Sequence, residues 1–282
     1  MTEICEFRIV YEFAHLLFRT DEGKDLGQIS KSIKVVRLTK EDPRFYQIPI
    51  IGNQIRERYN KSFFFGWGII RKYSKKELEA TTLLHLKIKT VFEPAGEECG
   101  TIYDETAVCE VCGANRKQLS PLNLKQGSVP KKDIARTIAG EVVVSEKFAA
   151  ACKQRGLKGL ALEPIIFDKG MSNFFQLTAL SQIELSHNTI AGINPFDLST
   201  SSEGEIYKCP KGHTIGLNLL SEPCILNSQS IGEYDFFASK QKVSVKRGLL
   251  RPEPIYFCSQ AFRKMIEEEK LTGFEFEIAN IE

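Results

Sequence analysis

The sequence predicts an α+β protein with a β-rich N-terminal region and a C-terminal region made of two strand-helix-strand units. Three observations lead to this prediction. Aromatic and alternating segments precede residue 100, an acidic and turn-rich connector lies near residue 100, and an internal repeat follows it. The length of 282 residues is sufficient for two domains, which we place at residues 1–100 and 101–282.

Aromatic and β-branched residues dominate the first domain. Apolar positions are nearly continuous from Phe7 to Phe18, which fits a buried strand followed by a short turn or helix. In residues 63–70, Gly66 and Gly68 flank Trp67 and indicate a bend with large rings packed around it. We expect this part of the domain to be mainly strand.

Two further elements are predicted before the connector. Ser74 is followed three residues later by Glu77, the spacing of a capping box at the start of a short helix. Apolar and polar residues then alternate from Leu84 to Thr90, which predicts a strand.

The connector after Phe92 combines proline and glycine with acidic residues. Its carboxylates, among them Glu97, Glu98 and Asp104, could serve acid–base catalysis or bind a cation. Their spread over an irregular loop is more typical of a solvated surface. The change in composition places the domain boundary near residue 100.

The internal repeat relates residues 140–165 to residues 254–279. Four pairs match at the same separation and without a gap: Ser145 and Ser259, Phe148 and Phe262, Leu157 and Leu271, and Gly159 and Gly273. Each copy predicts a short strand that ends in a helix-capping serine, a helix of about ten residues, a glycine, and an alternating strand. Two such units are too few for a solenoid, so we expect a pseudo-symmetric α+β domain.

A candidate half of a metal site precedes each copy. The first is the C-x-x-C-G knuckle Cys109–Gly113, and the second is Cys209-Pro210-Lys211-Gly212-His213. A two-residue spacing lets both thiolates reach one ion, and the glycine permits a tight turn. Cys109, Cys112, Cys209 and His213 together form a Cys3His set, which is typical of structural zinc.

Other interpretations of the cysteines remain open. The first knuckle could be a redox dithiol, or the two knuckles could be separate turns without metal, and iron could replace zinc. Cys99 and Cys224 are reserve ligands because each lies close to a knuckle. Cys5, Cys152 and Cys258 lie in apolar runs and are predicted to be buried, inert thiols.

The paired knuckles, the segment Ser-Pro-Leu-Asn-Leu at 120–124 and the S-x-x-F units resemble the bacterial double C-x-x-C-G proteins. These proteins are linked to immunity against polymorphic toxins in social bacteria. The resemblance covers roughly residues 92–282, and the second knuckle departs from the pattern with His213 in place of a cysteine. It implies a protein partner, namely a toxin that this chain neutralises, and either a monomer or a tight one-to-one complex.

The low net charge argues against a dedicated nucleic-acid binder, because 36 Asp and Glu residues nearly balance the 38 Lys and Arg residues. The best local candidate is Lys240–Arg251, where Lys242, Ser244 and Lys246 alternate with valines as on one face of a strand. No apolar run approaches the length of a membrane helix, and the N-terminus lacks the order of a signal peptide. We therefore expect a cytoplasmic protein that does not bind membranes.

The motif search gives no support to catalysis. The sequence contains no H-E-x-x-H, G-x-S-x-G, P-loop or G-x-G-x-x-G motif. We expect a zinc-binding, non-enzymatic protein that binds another protein. One alternative is a zinc-ribbon-like nucleic-acid binder that uses residues 240–251. The other is an enzyme whose N-terminal domain carries an unrecognised pocket, with Glu97, Glu98 or Asp104 near a metal ion that keeps an open coordination position.

Overall fold

The computed structural model describes residues 1–18, 29–30, 32–196, 206–227 and 231–282. The chain divides into two compact units, Met1–Glu77 with Asn194–Thr200, and Leu78–Ile193 with Ser201–Glu282. Both helices and many strands are present, which confirms the α+β class. Within the described ranges, no helix has the length and apolar character needed to cross a membrane.

The first unit is an antiparallel sheet with one long helix. Its elements are β1 (Thr2–Val10), a 3₁₀ helix (Tyr11–Leu16), β2 (Ile29–Ser30), β3 (Ile33–Leu38), α1 (Pro43–Tyr59) and β4 (Phe64–Lys72). The strand order is β2-β3-β1-β4. Phe7 is fully buried and stacks on Phe196 with ring centroids 5.8 Å apart. The predicted strand and short helix in residues 7–18 are therefore confirmed.

Helix α1 is an element that the sequence-based prediction does not contain. The carboxylate of Asp42 accepts a hydrogen bond from the backbone N–H of Arg44 at 3.0 Å, and Pro43 occupies the first helical turn. Pro49 lies inside the helix. One face is nonetheless buried through residues spaced three or four apart: Phe45, Ile48, Ile51 and Ile55.

The two elements predicted before the connector are both present. Helix α2 (Lys75–Ala80) begins after a complete capping box, in which the Glu77 backbone N–H donates to the Ser74 hydroxyl and the Glu77 carboxylate accepts from the Ser74 backbone N–H. Strand β5 (Leu83–Ile88) follows it.

The rest of the second unit contains fifteen strands and two helices in its described part. The elements are β6 (Val91–Phe92), β7 (Tyr103–Asp104), β8 (Lys117–Gln118), β9 (Asn123–Leu124), β10 (Ile134–Thr137), β11 (Val142–Ser145), α3 (Glu146–Gln154), β12 (Leu160–Phe167), β13 (Gly170–Ala179), β14 (Gln182–Ile183), β15 (Ala191–Gly192), β16 (Asn218–Leu219), β17 (Cys224–Ile225), β18 (Phe236–Val243), β19 (Glu253–Ser259), α4 (Gln260–Glu268) and β20 (Phe274–Ile281). A 3₁₀ helix (Gly96–Cys99) lies between β6 and β7.

Two six-stranded sheets form most of this unit, and they are built alike. Their orders are β6-β10-β11-β13-β12-β9 and β14-β18-β19-β5-β20-β17. In each sheet the four inner strands are antiparallel, and a two-residue strand pairs in parallel at each edge. Every strand of one sheet therefore has a counterpart at the same position in the other.

In each six-stranded sheet, one inner strand is followed in the sequence by a strand of the other sheet. Strand β5 lies between β19 and β20, although its neighbour in sequence, β6, is an edge of the first sheet. Strand β13 lies between β11 and β12, although its neighbour β14 is an edge of the second sheet. The two sheets thus exchange one strand each, and neither is complete without the other part of the chain.

Because of this exchange, the boundary between the two units does not lie near residue 100, where the change in composition predicted it. Strand β5 pairs with β20 over six residues, from Phe274 opposite Ile88 to Ala279 opposite Leu83. Because β5 is an inner strand of the second sheet, the second unit begins at Leu78. The acidic connector is consequently a segment within this unit.

Helices α3 and α4 pack against each other in one shared core. The hydroxyl of Ser145 accepts from the backbone N–H of Phe148, and that of Ser259 accepts from Phe262, each at 3.2 Å. Both phenylalanines are fully buried, and their rings meet edge to face at 5.9 Å. The predicted capping serines and buried helix faces are present in both segments.

Two aspartates link each capping serine to the opposite segment. Asp133 accepts from the Ser145 hydroxyl at 2.9 Å and from the Thr272 backbone N–H at 2.8 Å. Asp235 likewise accepts from the Ser259 hydroxyl at 2.7 Å and from the Lys158 backbone N–H at 2.9 Å. These reciprocal bonds hold the loop before β20 against β10, and the loop before β12 against β18.

Gly159 and Gly273 follow these loops and permit the close approach. Their φ angles are +87° and +109°, a region that side chains rarely adopt. A Cβ at Gly273 would overlap the carbonyl oxygen of Ile134, and one at Gly159 would overlap that of Phe236. The glycines aligned in the two repeat copies therefore occupy equivalent contacts.

We predict that Gly273→Ala lowers the free energy of unfolding by at least about 3 kcal/mol, since both the φ angle and the backbone contact oppose a methyl group. Gly170→Ala is the matched control. Its φ angle is +117°, but no atom lies within 4 Å of its added Cβ, so we expect a loss of only about 1 kcal/mol. Urea denaturation measures both, and equal losses would contradict the proposed close approach.

Candidate metal centre

The first knuckle lies between β7 and β8, which pair as an antiparallel hairpin. The Cys109 backbone N–H donates to the Ala114 carbonyl at 2.8 Å, and the Gly113 N–H donates to the Cys109 carbonyl at 2.7 Å. Gly113 has a φ of +71°, which closes the turn. This geometry directs both thiols, Cys109 and Cys112, to the same side.

The second knuckle lies between β15 and β16 and is a similar turn, with its glycine one position closer to the first cysteine. The Cys209 backbone N–H donates to the Thr214 carbonyl at 3.2 Å, and the Gly212 N–H donates to the Cys209 carbonyl at 2.9 Å. Gly212 has a φ of +76°. The His213 carbonyl accepts from the Lys242 backbone N–H at 2.8 Å, which fixes the histidine against β18.

Corresponding hydrogen bonds join the chain segments before and after each knuckle. Beside the first knuckle, the Ile102 N–H donates to the Ser120 hydroxyl, and the Ile102 carbonyl accepts from the Leu119 N–H. Beside the second knuckle, Ile190, Ser221 and Leu220 make the same two bonds. The chain segments on either side of each knuckle are therefore joined by matching hydrogen bonds.

The four predicted ligands come together in one buried cluster that could hold a metal ion. The Sγ atoms of Cys109, Cys112 and Cys209 and one ring nitrogen of His213 all lie within 4.8 Å of one another. Each cysteine is at most 5% exposed. In the described ranges, no other group of three or more His, Cys, Asp and Glu residues is arranged in this way.

The distances within the cluster match a tetrahedral site. The Sγ atoms of Cys109 and Cys209 are 3.8 Å apart, and His213 Nδ1 lies 3.6 Å from the Sγ atoms of Cys112 and Cys209. A tetrahedron with metal–sulfur bonds of about 2.3 Å and a metal–nitrogen bond of about 2.0 Å requires a sulfur–sulfur distance of about 3.8 Å and a sulfur–nitrogen distance of about 3.5 Å. A disulfide would need about 2.05 Å, so the sulfurs are not bonded to each other.

The local electrostatics of the two thiols in the first knuckle differ. A hydrogen bond from the Cys112 backbone N–H lowers the pKa of the Cys109 thiol to about 6, and His213 contributes to this shift. Burial raises the pKa of the Cys112 thiol to about 11. A bound cation would hold its cysteine ligands as thiolates, so metal binding at neutral pH releases the protons that these thiols still carry.

The remaining cysteines lie outside the cluster. Cys99 ends the 3₁₀ helix between β6 and β7, and Cys224 lies buried in β17, so neither reserve ligand joins the group. Burial raises the pKa of Cys152 to about 12 and that of Cys5 to about 11, and it also raises the pKa of Cys258. These three thiols are buried, as expected.

The acidic residues of the connector have other partners. The Glu97 carboxylate pairs with Arg116 at 2.6 Å, and that of Glu98 accepts from the Ala95 backbone N–H at 2.8 Å. Asp104 accepts from the Thr106 N–H at 2.8 Å. None of the three carboxylates belongs to the group of potential metal ligands.

The basic segment 240–251 packs beside the first knuckle, but not as the predicted strand face. Strand β18 ends at Val243, and Ser244 has a φ of 90°, which interrupts the alternation before Lys246. A Cβ at Gly113 would lie 3.1 Å from the Lys246 side chain. The prediction that Lys242, Ser244 and Lys246 share one strand face is therefore wrong.

Fold and site together define an α+β protein with a buried Cys3His cluster able to hold a metal ion. Searches of protein-family models and of curated proteins found no match to the chain.

We predict that Cys112→Ser loses the bound metal, because a hydroxyl is a much weaker ligand than a thiolate. Cys152→Ser should retain it, since Cys152 is equally buried but lies in the core between the helices. Elemental mass spectrometry gives the metal content per chain. Equal content in the two variants would reject the ligand assignment.

Proposed function

We propose that Cys109, Cys112, Cys209 and His213 bind one zinc ion as a structural clasp. The observation that carries this proposal is that three of the six distances between the ligand atoms are close to those of a tetrahedral zinc site, and all six are at most 4.8 Å. Three thiolates and one imidazole are a set that structural zinc commonly takes.

The ligand count favours a structural over a catalytic role for this ion. Catalytic zinc keeps a coordination position for water or substrate, whereas four protein ligands complete the tetrahedron. The small cluster of Cys109, Cys112, Ala114 and Cys209 is also separate from the larger apolar cores. Zinc binding would therefore supply much of the local folding free energy.

We propose further that residues 83–281 are two copies of one unit, one from β5 to β12 and the other from β13 to β20. The matched strand orders, the reciprocal aspartate bonds and the two knuckles support this. Each copy supplies one knuckle, so the zinc ion connects the copies. The exchanged strands β5 and β13 connect them a second time.

The biological role that we propose is non-enzymatic binding of another protein in the cytoplasm, with a bacterial toxin as the partner. The resemblance to the double C-x-x-C-G proteins suggests the toxin. Apolar side chains also lie exposed near the first knuckle, where Ile102, Val111 and Leu119 are about 60% exposed and the backbones of Ile102 and Leu119 are hydrogen-bonded. Thiolate ligands are best preserved in a reducing compartment, which supports the cytoplasm.

The alternative of a nucleic-acid binder has less support from the same structure. Lys240 pairs with Glu184 at 3.0 Å, and Arg251 lies 3.4 Å from Glu97. Lys242 is partly buried and lines a cavity. Only Lys246 and Arg247 of this segment remain for phosphate contacts, and two cations give weak electrostatic binding.

We expect purified, tag-free protein to contain about one zinc ion per chain, and chelation to lower the melting temperature of the second unit. The reason is that the bound ion stabilises only the folded state. Elemental mass spectrometry and calorimetry before and after chelation provide the measurement. Absence of metal together with an unchanged melt would refute the clasp.

For the protein partner, we expect a one-to-one complex with a toxin encoded beside this chain's gene, measured by size-exclusion chromatography with light scattering. Leu119→Asp should weaken the complex at least tenfold if the exposed apolar residues form the contact, since a buried charge is costly. Salt-sensitive retention on heparin without toxin binding would instead favour the nucleic-acid alternative.

A further inference from the structure

A cavity of about 290 Å³ lies in the second unit beside the first knuckle. Both six-stranded sheets line it, through Gln176 on β13 and Lys242, Glu253 and Tyr256 on β18 and β19. Gly113 of the knuckle is also part of its wall. Its volume is near the lower limit for pockets that bind small molecules.

The acidic groups of the cavity already have hydrogen-bond donors. The Glu141 carboxylate accepts from the Tyr103 hydroxyl at 2.5 Å and also from the Thr137 hydroxyl. The Glu253 carboxylate is paired with Arg136. The two carboxylates that line the cavity are thus already bonded to other groups of the protein.

Three residues that line the cavity keep at least one N–H or O–H group without a partner among the described residues. Among the described residues, no hydrogen bond or ion pair engages the ammonium of Lys242 or the hydroxyl of Tyr256. The Gln176 amide donates one N–H to Gln118 at 2.8 Å and keeps the second. Burial raises the pKa of Tyr256, so its hydroxyl stays protonated and able to donate at neutral pH.

The shape and charge of the cavity limit what these donors can bind. An ammonium and two neutral donors are suited to an oxyanion, because each can donate to its oxygens. Arg116 and Arg251 also line the cavity, but both pair with Glu97. Among the described residues, Lys242 is therefore the lining cation without an ion pair, and a single cation matches a singly charged carboxylate. Val142, Leu177, Ala238 and Pro254 add apolar wall for a hydrocarbon body.

We propose that this cavity binds a small monocarboxylate with a short apolar body, held by Lys242, Tyr256 and Gln176. The site is distinct from the metal cluster and does not depend on the zinc proposal. The carboxylate satisfies the three donors, and the hydrocarbon body replaces water along the apolar wall.

The test is isothermal titration of the full chain with hexanoate, and separately with inorganic phosphate. We expect hexanoate to bind with a dissociation constant of about 1 mM or lower, and Tyr256→Phe and Lys242→Met each to weaken it about tenfold. Lys240→Met is the control, since Lys240 lies on the same strand with an exposed side chain paired to Glu184. Its affinity should equal that of the unsubstituted protein.

Metal content is measured in each sample, because the backbone of Lys242 contacts His213. Tyr256→Phe removes only a hydroxyl outside the knuckles and keeps the test valid if Lys242→Met alters the metal site. No heat of binding with hexanoate up to about 10 mM would overturn the proposal. Undiminished binding by Tyr256→Phe, or binding of phosphate in preference to hexanoate, would overturn it as well.

Discussion

The second unit depends on bringing together two turns whose cysteines lie 100 positions apart in the sequence. Each turn lies between two chain segments that are hydrogen-bonded to each other, at Ile102 and Ser120 for the first turn and at Ile190 and Ser221 for the second. The three sulfur atoms and the imidazole of the cluster come from both turns, so they meet when the two turns lie side by side. The geometry of the cluster therefore depends on the placement of both turns, and a bound ion would in turn stabilise that arrangement.

Strand exchange supplies the other connection between the halves. Strands β5 and β13 each complete a sheet formed mostly by the other half, so neither sheet can form its full set of backbone hydrogen bonds alone. The shared core of Phe148 and Phe262 and the reciprocal bonds of Asp133 and Asp235 lie where the halves cross. Cooperative unfolding of the entire second unit follows from this architecture, because separating the halves would expose backbone groups and apolar surface together.

Local signals in the sequence were sufficient for the capping serines, the α+β class and the four residues of the cluster, since each depends on spacing over a few positions. The exchange of β5 was not predictable in this way. An alternating strand shows which face is buried but not which distant strand it joins, and this is why the boundary near residue 100 differs from the observed one. Helix α1 had a detectable start in Asp42 and Pro43, whereas Pro49 and Gly52 argue against a helix. Asp133 and Asp235 are isolated polar residues, and only the fold shows what they bind.

The most direct test of a zinc clasp that joins the two halves is X-ray absorption spectroscopy at the zinc edge of the purified, tag-free protein. We expect three sulfur atoms at about 2.3 Å and one nitrogen atom at about 2.0 Å from the zinc ion, with no oxygen ligand. A zinc ion coordinated by oxygen, or a first shell with fewer than three sulfurs, would contradict the clasp.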